Sequence, residues 1–223
     1  MRPALARLAA AATAPVPADL LAWAASTGSD DGPLPLLGAG RRAAHYPALL
    51  WNGARLHLAG APDADGLTLV ALASAAADAP VELLEQAVVT GLALDADLAA
   101  GTDGGTLLAR PTTGVVAAAA CAAVAAGITD LGPVLDLAAG LMVVQPVEDG
   151  TVAEAALARG HCLAAGWLAP RALGAGLIGM PDALLPTLET VTGRPAEPVS
   201  VPQPSPVPAG RGERAADLLA ALS

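Results

Sequence analysis

The chain has 223 residues and a formal charge of −10; 54 % of it is hydrophobic but only 2 % aromatic, and Phe is absent. That length suits one domain, or one domain and a tail, with a core built of Ala, Leu and Val, whose small side chains let helices approach closely. All eleven basic residues are Arg, so Schiff-base and lysine general-acid chemistry are excluded, and the acidic balance argues against nucleic acid and anionic membrane surfaces as partners.

The opening stretch, MRPALARLAAAATAPVPADLLAWAA, has the basic start and Ala-rich run of an export signal. Pro15 and Pro17 break it, however, and a second helical segment begins at once with Asp19 near its first turn. It therefore reads as the first helix of the domain. Apolar periodicity then predicts helices at Ala4–Ala12, Ala18–Ser26, Pro47–Ala59, Leu67–Ala77, Val81–Ala99, Thr113–Gly127, Leu131–Met142, Val152–Ala169, Arg171–Ile178 and Asp182–Thr190. Start signals support several of them. Asp78 precedes Pro80, with Glu82 and Glu85 in the following turns, and Pro181 and Asp182 repeat the arrangement. Gly91, Gly127, Gly140 and Gly179 read as stops. Two-residue alternation is missing almost everywhere, so few or no strands are expected and the fold class is all-α.

The longest apolar run, Val115–Ile128, has 14 residues, short of the ~20 needed to cross a bilayer, and reads as a buried core helix. Cys121 and Cys162 sit in apolar helical pattern without CxxC spacing. They read as buried, reduced thiols in a cytoplasmic protein rather than as a disulfide or metal ligands. The glycine-rich GTDGGT (101–106) lacks the GK[ST] and preceding strand of a phosphate loop and reads as a turn. Beyond Gly193 the composition changes. Residues 194–210 are Pro-rich and cannot form helix or a sheet ladder, which predicts an extended strap or linker. Residues 211–223 close the chain with a short amphipathic helix that can dock back on the domain. The domain proper is 1–193.

Four blocks, in order, carry a family resemblance: LLGAGRRAAHYPALLWNGARLHL, LTLVALASAAADAPVELLEQAVVTGLAL, RPTTGVVAAAACAAVAAGI, and the segment from Glu148 to Leu185. Together they resemble the helical domain of the MmgE/PrpD superfamily, which includes 2-methylcitrate dehydratase and cis-aconitate decarboxylase. The resemblance covers about residues 15–193. It implies a multi-helix domain and a history of elimination or decarboxylation on small polycarboxylates, without metal or organic cofactor. It also implies longer relatives with a second, α/β domain, in whose place this chain has its Pro-rich strap.

Such a reaction needs a base for a proton alpha to a carboxylate, an acid for the leaving group and cations for the substrate carboxylates. The family resembled supplies these from an H-x-x-D-x-D-D-T segment, a following His, the His of an H-x-T motif and a Lys. In this chain His57 matches the leading His, but Gly60 and Pro62 fall on the first two Asp positions and only Asp63 keeps a carboxylate. Arg110-Pro111-Thr112 stands where H-x-T belongs, Thr151 is near the family's Thr, and no Lys exists. Losing one acid–base group typically costs ~10²–10⁴ in rate, so the family reaction is not expected here.

The candidate catalytic residues are thus His57 and Asp63, and the candidate substrate-binding residues are Arg110, Thr112, Thr113 and His161. Arg110 at a helix start can clamp a carboxylate, with backbone N–H donors from residues 112–114. Each has a plainer reading. His57 and His161 read first as packed side chains, and Asp63 and Asp65 first as turn and cap residues for a helix starting at Leu67. Arg110 reads as a surface-loop charge. Arg159 and Glu154, five apart, are not expected to pair. The sequence therefore predicts a shortened relative that no longer catalyses the family reaction. It would persist as a helical subunit or a binder of a small carboxylate, as a homodimer or as a mixed dimer with a full-length homologue. The alternative is a repurposed lyase, isomerase or cyclase working without a cofactor.

Overall fold

A computed structural model describes residues 2–29, 31–77, 79–102, 109–111, 113–146, 151–193, 195–196 and 198–199; at 2, 101–102, 109–111 and 144–146 only the backbone is described. The helices among these residues are α1 (Arg2–Ala11), α2 (Ala18–Thr27), α3 (His45–Leu58), α4 (Asp63–Ala75), α5 (Leu84–Thr102), α6 (Gly114–Ala125), α7 (Gly132–Ala139), α8 (Val152–Gly174) and α9 (Leu184–Thr192). Two small antiparallel hairpins accompany them: β1 (Leu34–Leu36) with β2 (Arg41–Ala43), and β3 (Ala109–Pro111) with β4 (Val144–Pro146). The class is helical, as the periodicity predicts.

The long helix α8 is the centre of the packing, laid mainly against α3 and α6, while α6 is enclosed by α5, α4 and α7. Every residue of α6 from Val115 to Ala125 is buried. A helix apolar on all sides belongs inside a protein, and side chains as small as Ala and Val let four neighbours crowd it. Glycines set the closest crossings. A Cβ on Gly53 of α3 would lie 2.7 Å from the Cα of Gly160 on α8, and one on Gly160 would run into the carbonyl of Leu50. Farther along α8, a Cβ on Gly166 would lie 2.6 Å from the Val115 carbonyl oxygen of α6. No side chain larger than hydrogen fits at these contacts.

Gly91 is therefore not a stop. It lies inside α5, where a Cβ would meet the Ala117 carbonyl oxygen of α6 at 3.0 Å. Gly127 does end α6, in a left-handed conformation (φ 77°) with Ile128 N bonded back to Ala123 O at 2.9 Å. Gly140 caps α7, but Gly179 lies beyond the end of α8 and ends no helix.

Other boundaries differ from expectation too. α8 runs unbroken through Pro170 to Gly174 rather than restarting at Arg171. Buried Ala169 and Pro170 keep the turn against the core, and the lost N–H of Pro170 is one bond in a 23-residue helix. α4 starts four residues early, because DADG forms its first turn with Asp63 and Asp65 suitably placed at the positive end of the helix dipole. α9 starts at Leu184 rather than Asp182. The Asp136 carboxylate of α7 accepts from Asp182 N (2.9 Å) and Leu184 N (3.3 Å), so the cap comes from another helix.

α1 packs Leu5, Leu8 and Ala11 into the core. Ala196 and Val199, from the start of the Pro-rich segment, pack against the same core, and Ala196 N donates to Glu189 Oε1 at 3.2 Å. Residues 103–106 of the glycine-rich turn, the remainder of the strap and the expected C-terminal helix at 211–223 lie outside the described residues.

Gly160→Ala is expected to lower stability by about 2 kcal/mol or more, despite the better helix propensity of Ala. Gly174→Ala, whose Cβ would meet nothing within 4 Å, should stay within ~0.5 kcal/mol of the wild type. Urea denaturation of both variants checks this, and equal midpoints for Gly160→Ala and wild type would contradict the close crossing.

Candidate functional site

Two consecutive turns of α3 fix the ground beneath the site. Buried Asn52 accepts from Leu37 N (2.8 Å) and donates to Pro35 O (2.9 Å), while Trp51 Nε1 donates to Leu37 O (3.0 Å). These bonds tie α3 to the β1 segment. Arg55, buried one turn on, donates to the Ala11 and Ala12 carbonyls, which end α1. Burial lowers the pKa of its guanidinium. The motif around Trp51 to Arg55 is thus a clamp for the neighbouring backbone.

A pocket of about 210 Å³ opens beyond this clamp, where α3, the turn at Gly60–Pro62, the start of α4 and α8 meet. His57 from α3, Asp63 from α4 and Arg159 from α8 share its wall with Gly53, Gly66 and Leu163. Arg159 forms an ion pair with Asp63. The arginine side chain is 27 % exposed and the aspartate 54 %, so the cation is the deeper partner. A Cβ on Gly114 would lie 3.0 Å from Arg159 Nη1, which puts the guanidinium against the first turn of α6 as well. Among the described residues, neither Pro62 at the start of α4, which begins at the pocket wall, nor the half-buried Thr113 at the start of α6 makes a side-chain cap bond. A guanidinium between two uncapped helix starts is a favourable environment for an anion.

The structure brings together two of the residues singled out from sequence, His57 and Asp63, with Arg159; Thr113 is the N-cap residue of α6 and does not line the pocket. His57 is exposed at the pocket rim rather than packed in a core. Asp63 does not cap a helix at Leu67; it lies in the first turn of α4 and pairs across to α8. Asp65 is no cap either. It is fully buried and held bidentately by Arg7 of α1 at 2.6 and 2.7 Å. That contact raises the pKa of Arg7. His161 turns elsewhere, its Nε2 3.0 Å from the Leu141 carbonyl that follows α7. The backbone of Arg110 lies in β3, paired with Gln145, not in a loop or a helix start. Its side chain and the whole of Thr112 lie outside the described residues.

Sequence reasoning missed Arg159 because its partner is 96 positions away. The available signal was an Arg beside Gly160 on a helix made mostly of Ala, Leu and Gly. Glu154 serves differently: it closes a capping box with Thr151, accepting from Thr151 N at 2.6 Å while its own N donates to Thr151 Oγ1 at 3.2 Å. These bonds hold the Glu154 carboxyl below its usual pKa. The threonine aligned with the family motif is thus a helix cap. Cys121 and Cys162 are buried and form no disulfide, and burial pushes the Cys121 thiol far up from its usual pKa. Among the described residues no group of His, Cys, Asp or Glu has the makings of a metal site, and no helix is long and apolar enough to cross a membrane.

Two turns further along α8, Trp167 is sandwiched between His45 (ring centroids 4.7 Å apart, interplanar angle 10°) and Arg171 (3.7 Å from the ring). Arg171 Nη1 also donates to Trp167 O at 2.9 Å, and burial pushes its pKa down to about 10. His45 is held below its usual pKa of 6.5 by burial and then by the charge of Arg171.

Comparison of the chain with models of known protein families, with curated proteins and with solved structures finds no match.

Because the folded state disfavours charged His45, the unfolded chain binds the extra proton first. Stability is therefore present above pH 6.5 and is lost as pH falls through the folded-state pKa. His45→Phe, which keeps a ring over Trp167 but cannot protonate, is expected to flatten that loss between pH 7.5 and pH 5, as urea midpoints would show. An unchanged slope would contradict the assignment. Arg7→Ala, which leaves the Asp65 carboxylate buried without its partner, is expected to lower the denaturation midpoint.

Proposed function

We propose that this chain is a non-catalytic binder of a small carboxylate, built on a helical scaffold of MmgE/PrpD-like lyase ancestry, with Arg159 as the group that receives the ligand. One observation carries the reading. A guanidinium largely shielded from solvent faces a pocket of about 210 Å³ beside the starts of α4 and α6. Drug-sized ligands occupy ~300–1,000 Å³, so the volume suits a short-chain acid. The polar wall is a single Arg, a single Asp and a rim His, which is enough to orient a carboxylate and too little for the dehydratase chemistry of the family resembled.

A repurposed lyase, isomerase or cyclase is the second reading, favoured by His57 and Asp63 sharing the pocket. Against it, the Asp63 carboxylate is engaged by Arg159 and is poorly placed to take a substrate proton. The Ala-rich helices and the exposed Leu177, Ile178 and Met180 support self-association, as a homodimer or as a mixed dimer with a longer homologue. Two buried cysteines that form no disulfide suit a reducing, cytoplasmic setting.

Calorimetric titration with succinate tests the reading. A dissociation constant of about 0.1–1 mM is expected, with binding lost in Arg159→Gln while its helical circular dichroism is retained. Failure of the wild type to bind overturns it, as does undiminished binding by Arg159→Gln. Neither 2-methylcitrate nor cis-aconitate should be turned over, and rates within the ordinary enzyme range of ~1–10³ s⁻¹ would establish the catalytic alternative.

A further inference from the structure

We infer that Asp63 is a built-in competitor for the Arg159 site: its carboxylate occupies the place that an incoming carboxylate takes, so ligand binding requires Asp63 to swing out. This rests on the reading of Arg159 as the ligand-receiving cation. The two partners are unequal. Arg159 is the more buried and is packed against Gly114 at the start of α6, whereas the Asp63 side chain is more than half exposed. Asp63 is thus the partner with room to leave.

Its backbone has no such freedom. Two residues on, Asp65 is fully buried and held by both nitrogen–oxygen contacts to Arg7, at 2.6 and 2.7 Å. In the next turn Thr68 Oγ1 donates to Ala64 O at 2.8 Å. The first turn of α4 is therefore pinned to α1, and opening the site is a side-chain rotation of Asp63 alone.

Charge sets the consequence. The paired pocket is neutral, with one guanidinium and one carboxylate. A bound carboxylate takes over the guanidinium and leaves Asp63 as a nearby like charge. Both effects weaken anion binding, and both vanish when Asp63 loses its charge without changing shape. A part-exposed pair of this kind is a weak lock, which suits a site that must open to fill.

Succinate titrations of the wild type, Asp63→Asn, Asp63→Ala and Asp63→Asn/Arg159→Gln, each confirmed folded by circular dichroism, test the inference. Both single variants are expected to bind on the order of fivefold more tightly than wild type, and the double variant to lose binding. Wild type and both Asp63 variants binding alike would overturn the competitor role while leaving Arg159 as the receptor. Tighter binding that persists in the double variant would overturn it too, since the gain would not pass through Arg159. No binding by any form would overturn the underlying reading and the competitor with it.

Discussion

The fold depends on the backbone-to-backbone approach of α3 and α8. With no Phe and few aromatics, the chain cannot fill wide gaps between helices with large side chains. It closes the gaps instead, and at the α3–α8 crossing the tightest point is Gly160 against the Leu50 carbonyl. Dispersion falls steeply with separation, so a core of Ala and Val gains cohesion only when its helices nearly touch. Gly166 against α6 and Gly91 between α5 and α6 extend the same solution through the interior.

That approach also determines where chemistry can sit. Arg159 adjoins Gly160 and therefore emerges beside the crossing, facing the first turn of α4 and the first turn of α6. Gly53 and Gly66 keep the pocket open by offering it no side chains. The buried polar groups around it are each committed to a structural partner: Asn52 to β1, Arg55 to the end of α1, Asp65 to Arg7. What is left over for a ligand is Arg159, with the exposed carboxylate of Asp63 in front of it and His57 at the rim.

The helices were legible in the sequence because apolar spacing records which face is buried. The helical class follows directly, and so do the ends marked by Gly127 and Gly140. Boundaries decided by tertiary contacts were not legible. Pro170 fails to break α8 because the turn around it is buried, and α9 takes its cap from Asp136 on α7. Gly91 looked like a stop since a glycine chosen for close approach and one chosen for positive φ are the same letter. At the site, His57 and Asp63 were singled out through the family resemblance, and both lie at the pocket wall. Their partner was not, because nothing local to Arg159 reports a carboxylate 96 positions away. Asp65, two residues from Asp63, shows the converse. Its turn-like surroundings suggested an exposed cap, whereas Arg7 draws it into full burial.

The central claim is that Arg159 is the carboxylate receptor of a pocket organised by the α3–α8 crossing. A crystal structure of the protein in succinate tests it most directly. The account predicts a ligand carboxylate within ~3 Å of the Arg159 guanidinium, with the Asp63 side chain turned away and the first turn of α4 unmoved. Succinate seated away from Arg159, or an intact Arg159–Asp63 pair at a ligand-saturated protein, would contradict it.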